Sequence, residues 1–231
     1  MKKSVCHPLP TDPKIKGLMC LFILFTLLVS PNTATALPTP QTPAQFVQVL
    51  LNNVRQLKKS DPEKNITLSS EDKKQNGELG RKINQMVDLN GISKYALQKH
   101  WSALDDLQRE RFVKVFTELL ATVAYPNAGE FLSDLEVSVR KEKKRSQKAM
   151  VYTSVIHKEE GRIDIDFKLA SLESTWLVQD VYLDGVSLVR NLRTQCLKII
   201  RENSYEELIN RMKKKITEAD TSDLKEVTGR E

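Results

Sequence analysis

The stretch between Leu135 and Asp184 most constrains the fold. It contains four strand-length runs, LEVSVR (135–140), AMVYTSVI (149–156), RIDIDFKLA (162–170) and WLVQDVYLD (176–184), joined by short polar links. In the third run Ile163, Ile165, Phe167 and Leu169 fall on one side and Asp164, Asp166 and Lys168 on the other. That period of two is the signature of a half-buried strand. The fourth run differs. Leu177, Val181 and Leu183 share one parity, while Trp176, Val178 and Tyr182 share the other. A regular strand with that pattern covers a core on one side and something else on the other. Links this short make hairpins, so the four runs predict an antiparallel meander.

On both sides of the meander the apolar period becomes three and four. Phe46, Val47, Leu50, Leu51, Val54 and Leu57 predict a helix from Ala44. Lys58 to Gly80 is polar, with two glycines and a proline, and reads as a loop leading into a helix near Ile83. A helix after Gly91 is expected to turn Ile92, Tyr95, Ala96 and Leu97 inward. Ser102 with Asp105 imitates a capping box. A wide stripe then runs through Leu104, Leu107, Phe112, Val115, Phe116, Leu119, Leu120 and Val123 until Pro126, which is expected to stop the helix. After the strands, Gly185 is expected to make a turn and Ser187 to cap a helix over 187–202. A second helix over 204–219 opens on Ser204 with Glu207. The expected fold class is α+β: a curved antiparallel sheet of about four strands with helices packed on one face, enclosing an apolar cavity.

The start of the chain reads as a leader. Lys2, Lys3, Lys14 and Lys16 precede the apolar run Gly17–Ser30, and Ala34-Thr35-Ala36 supplies a small-x-small site. This is the pattern of a secretory signal peptide, 1–36; the apolar run is shorter than the ~20 residues a spanning helix needs. A proline-rich tether (37–43), one domain (44–219) and a flexible tail (220–231) follow. The whole chain carries a net charge of +6. The leader accounts for about half of it, and the mildly basic remainder gives no argument for nucleic acid. Cys6 and Cys20 leave with the leader, so Cys196 stands alone in an apolar stripe and reads as a small buried residue.

Candidates for chemistry are few. His100 and His157 have no metal-ligand partner at helical spacing, and the chain has no nucleophile elbow, zinc motif or phosphate loop. No metal or cofactor is expected. Asp164 and Asp166 read as solvated face residues. Asp180 or Asp184 could act as a general base if the fold were a cone-shaped isomerase or hydratase. The basic run Arg140–Lys148 reads as a solvated hairpin tip, or as a patch that steers toward anionic headgroups or an acidic partner.

Two longer blocks carry a resemblance. The first matches through Ile92, Ser93, Leu97, His100, Trp101, Gln108, Arg109, Phe112, Phe116, Leu119, Leu120 and Tyr125. The second matches through Trp176, Val178, Asp180, Val181, Asp184, Gly185, Val186, Ser187, Leu188, Val189, Asn191, Arg193 and Gln195. With these residues the chain resembles the MlaC, or toluene-tolerance, family. It departs from the pattern at Gln98, where the family has glycine, and at Cys196, where it has an aromatic.

The resemblance implies a periplasmic phospholipid-binding carrier and not an enzyme. Such a carrier shuttles lipid between an outer-membrane lipoprotein complex and an inner-membrane ABC transporter with an MCE-domain subunit, and so maintains outer-membrane lipid asymmetry. Another lipid, such as a hopanoid, remains open as cargo. The residues expected to line a lipid cavity are Phe112, Phe116, Leu119, Leu120, Val151, Ile163, Ile165, Val181 and Val186. Each also fits plain core packing.

Overall fold

The structure, a computed structural model, describes residues 42–60, 66–157, 161–173 and 175–228, with backbone only for 220–228. Contacts divide the chain into Met1–Thr39 and Pro40–Glu231, and only the second unit is described below. The expected leader and nearly all of the tether lie outside the described residues.

Helix α1, Pro43–Arg55, begins one residue inside the expected tether. Thr42 caps it reciprocally: its hydroxyl accepts from Gln45 N at 3.2 Å, and Gln45 Oε1 accepts from Thr42 N at 3.0 Å. Pro43 occupies the first turn, where a missing N–H costs nothing. Helix α2, Ser70–Asn84, corrects the expected loop. Ser69 and Asp72 form its capping box, and only Leu79, Gly80 and Ile83 are buried. A helix that buries one narrow stripe shows little apolar periodicity.

Helix α3, Leu89–Leu97, buries Ile92, Ala96 and Leu97, whereas Tyr95 is exposed. Gln98, at φ 47°, breaks the chain into the short helix α4, Lys99–Ala103. Helix α5, Asp106–Leu119, is capped by Asp105 with Gln108, not by Ser102. Leu107, expected in the apolar stripe, is 78% exposed. Pro126 does not end the helical rod. A π-turn, Leu120–Ala124, leads directly into helix α6, Tyr125–Leu132. Gly129 lets α6 approach the end of α1, because a Cβ there would stand 2.7 Å from the Val54 carbonyl oxygen.

The sheet is antiparallel, with strands in sequence order: β1 Val137–Arg145, β2 Lys148–His157, β3 Gly161–Leu172, β4 Thr175–Leu183 and β5 Val186–Ser187. The first four are the expected runs, lengthened. The basic segment expected at a hairpin tip instead forms most of β1 and the start of β2, with the turn at Ser146–Gln147. The two-residue β5 was not expected. Asp184 (φ 45°) and Gly185 (φ 80°) make the two-residue turn that joins it to β4, in the left-handed conformations such hairpins require.

A bulge in β4 resolves its two-sided apolar pattern. Lys168 pairs with Asp180 and Leu169 pairs with Val178, which leaves Gln179 unpaired. The extra residue switches which parity faces inward. Trp176 and Val178 before it and Val181 after it therefore all join the same cluster. The strand covers one core, not two.

Two apolar clusters support the fold. The first packs α1 and α2 on β2, β3 and β4, around Val47, Ile83, Val151, Val155 and Leu169. The second joins α3 and α5 to helices α7, Leu188–Glu202, and α8, Tyr205–Thr228, around Leu97, Phe112, Cys196 and Ile209. Burying each such side chain contributes about 1.5–3 kcal/mol. Burial pushes the Cys196 thiol up to about 11, consistent with a small apolar residue. Helix α8 extends to Thr228, through backbone assigned from the sequence to a tail.

Candidate functional site

The rod α5–π-turn–α6 serves both clusters. Phe112, Val115 and Phe116 are buried in the second. Beyond the π-turn, Leu132 belongs to the first, with Tyr125 and Ala128 packed against it. Pro126 explains the break. It has no N–H, and its ring would meet the carbonyl four residues back. The preceding turn widens instead: Tyr125 N–H donates to the Leu120 carbonyl, and the Asn127 amide donates to the Val123 carbonyl at 2.8 Å. The Tyr125 hydroxyl donates to Asn84 Oδ1 at 3.0 Å, which ties the rod to α2; burial pushes its phenol pKa upward. π-turns inside helices recur at functional sites.

A groove of about 470 Å³ opens at this turn. Small and apolar groups form much of its wall: Leu68, Gly77, Ala121, Thr122, Val123, Pro126 and Ala219. Lys58, Lys59, Lys73, Asn76 and Asn127 also line it. This wall is held in place. Asn76 accepts from Lys58 N at 3.0 Å and donates to the Lys58 carbonyl at 2.7 Å. Lys58 pairs with Asp72, and Lys59 pairs with Glu130 at 2.7 Å. The Lys58 ammonium and the Ser69 donors hold the Asp72 carboxyl at about 2. A groove of this volume, walled by apolar and fixed polar groups together, is a candidate ligand site.

The structure does not gather the nine expected lining residues in one place. Val151, Ile163 and Ile165 are core members of the first cluster, and Val181 packs against it. Phe112 and Phe116, with ring centroids 6.0 Å apart, belong to the second cluster, and Leu119 and Leu120 pack against it. Val186 is 60% exposed beside the β4–β5 turn. None of the nine lines the groove. Its own lining was missed, although the small residues Ala121 to Ala124 ahead of a proline in a helical pattern were a usable signal.

A second, polar pocket of about 240 Å³ lies where α3 and α7 meet β4. Asp88, Tyr95, Lys168, Asp180, Tyr182 and Arg190 are among its lining. Asp180 is occupied there: Oδ2 accepts from the Ser187 hydroxyl at 2.6 Å and Oδ1 from Val189 N at 3.1 Å. Ser187 in turn accepts from Arg190 N at 2.9 Å. Asp180 and Ser187 thus cap α7 together. Burial first, then the Asp180 charge, pushes the Tyr182 phenol upward. Asp184 Oδ1 accepts from Asp164 N at 2.8 Å. Both carboxylates suggested as general bases are tied into the backbone.

Other residues of the matched blocks are structural as well. Arg109 donates from Nε to the Trp101 carbonyl at 3.0 Å and lies over the Trp101 ring. Arg193 lies over Tyr95 and donates to its hydroxyl at 3.1 Å. Among the described residues, no group of three or more His, Cys, Asp or Glu is placed to hold a metal, and no helix is long and apolar enough to cross a membrane.

The MlaC protein family model matches residues 52–214. No curated protein matches the chain. Among solved structures, a phospholipid-binding protein from Ralstonia solanacearum, in complex with a phospholipid, aligns with a TM-score of 0.60 at 15% identity, over 76% of this chain and 97% of that one. At that identity the likeness is one of fold. A DUF4783 family protein from Bacteroides ovatus aligns with a TM-score of 0.24 at 15% identity, over 27% of this chain and 59% of that one, which is too weak to carry an argument.

Proposed function

The chain belongs to the MlaC family, and on that premise we propose that it is a phospholipid carrier whose acyl chains enter between the two apolar clusters at the π-turn groove. The observation that carries the reading is the groove itself, placed where one helical rod passes from the first cluster to the second. Val87 packs against both clusters, so the two meet along a seam.

The physical need is plain. Each acyl CH₂ exposed to water costs ~0.8 kcal/mol, and a whole chain on the order of 10 kcal/mol. A carrier that crosses an aqueous gap must enclose the tails and can leave the headgroup in water. Separation of the clusters along the seam would make room, with the opening favoured by contact with a membrane-bound partner. In the expected setting the protein works in the periplasm and exchanges lipid between an outer-membrane lipoprotein complex and an inner-membrane ABC transporter with an MCE-domain subunit. No catalytic step is required.

The test is extraction. Protein lacking the leader is mixed with neutral phosphatidylcholine vesicles containing a fluorescent phosphatidylcholine, and the vesicles are then pelleted. Fluorescent lipid left in the supernatant with the protein supports the reading. Supernatant lipid no higher than with an unrelated protein overturns it.

A further inference from the structure

Six of the nine residues Arg140–Lys148 are cations, and the structure sorts them. Arg140, left over at a bulge in β1, reaches Asp164 at 2.9 Å and Asp166 at 3.5 Å. Glu142 turns to the other face, where it accepts from Ala44 N at 2.9 Å at the start of α1. Lys141, Lys143, Lys144, Arg145 and Lys148 remain, and among the described residues none of them is in an ion pair. Lys143 lies over the Tyr152 ring and Lys144 over the Trp176 ring. Arg145 stands directly opposite Lys148 in the ladder. Like charges across a closing pair repel, and an anion at this end relieves the repulsion.

The neighbouring turn lies at the same end of the sheet. Ser171 N donates to the Gln147 carbonyl at 2.7 Å, which brings the end of β3 against the β1–β2 turn. There Leu172 is 62% exposed, followed by the exposed acid Glu173. Lysines on an edge strand discourage strand-to-strand aggregation. That role accounts for Lys141 and Lys143 on β1, but not for Lys148 on the inner strand β2, nor for Leu172.

We propose that this end of the sheet, with Lys141, Lys143, Arg145 and Lys148 around the exposed Leu172, is a docking surface for bilayers of anionic phospholipid. Cations at the phosphate level with one aliphatic group reaching the acyl boundary fit a lipid interface. Four of the five unpaired cations are lysines, which act as flexible point charges. A carboxylate-bearing protein partner is better matched by the arginine fork. The proposal concerns where the protein touches a membrane, not what it carries, and it stands whether or not the carrier reading holds.

Sedimentation with vesicles tests it. The protein is spun with neutral phosphatidylcholine vesicles and with vesicles containing roughly one-third phosphatidylglycerol. It is expected to pellet with the anionic vesicles only and to be released at about 0.5 M salt, where exposed charges are screened. The variant Lys143→Glu/Arg145→Glu/Lys148→Glu, with an unchanged circular dichroism spectrum, is expected to bind at least about tenfold more weakly, and Leu172→Ser to bind less than the unaltered protein. If the triple variant fails to fold, the salt titration of the unaltered protein decides. Equal pelleting with both vesicle types, or pelleting unmoved by salt, overturns the proposal. So does binding to a polyglutamate resin without binding to anionic vesicles, which would assign the patch to an acidic protein. In the neutral-vesicle spin, where the protein stays in the supernatant, fluorescent lipid found with it reports carrying separately, so either reading can fail alone.

Discussion

Asp180 belongs to the longest matched block and, as an isolated carboxylate, could serve as a base. Its surroundings assign it another task. It accepts from Ser187 and Val189 and so fixes the first turn of α7. Replacing it by alanine leaves a buried hydroxyl and a backbone N–H without their acceptor, which costs about 1–3 kcal/mol. Asp180→Ala is therefore expected to lower the urea midpoint while leaving lipid uptake per folded molecule unchanged. Uptake abolished in a variant of native stability would return Asp180 to the binding or reacting groups. Ser187 and Gly185 were readable in advance as cap and turn, because each answers a local rule. The role of Asp180 was not, because its partners lie across a turn, Ser187 on a strand of two residues and Val189 at the start of α7.

At the scale of elements, the bulge at Gln179 shows where pattern reading stops. A strict period of two places Trp176 and Val178 opposite Val181, yet all three pack in one cluster. The pattern of hydrophobic residues was correct, but the one extra residue that reverses parity leaves no mark in composition. Deleting Gln179 removes the extra residue, and a regular strand then keeps Trp176, Val178 and Val181 on one face with the Lys168–Asp180 and Leu169–Val178 pairs intact. The deletion variant is expected to retain its near-ultraviolet circular dichroism and cooperative unfolding; loss of both would refute the account of β4.

Helix α2 and the π-turn were lost for related reasons. The first buries one narrow stripe, so its cap at Ser69 with Asp72 was the better signal. The second follows from a proline that sequence rules treat as a stop, although a widened turn can carry the rod past it. Strands β2 to β4, the α5 stripe and the paired C-terminal helices were legible because each turns an apolar stripe onto a cluster, whereas β1, mostly exposed, was legible through Val137 and Val139 alone.

For the whole molecule, the question is which apolar surface is core and which is site. Phe116 sits 3% exposed in the second cluster, whereas Thr122 lines the open groove. Thr122→Trp fills the groove from its wall. It is expected to cut vesicle extraction by about tenfold while shifting stability by no more than about 1 kcal/mol. Phe116→Trp overpacks a closed cluster and is expected to reduce stability by about 1–3 kcal/mol, with extraction falling only as far as folding does. The reverse ranking would move the site into the second cluster, where four of the nine expected lining residues fall.

Native mass spectrometry of the protein, gently purified from bacterial cells, tests the central claim most directly. The account predicts a bound species heavier than the polypeptide by the mass of a phospholipid, released on unfolding, and depleted in Thr122→Trp. Bare polypeptide that also takes up no lipid from vesicles would contradict it.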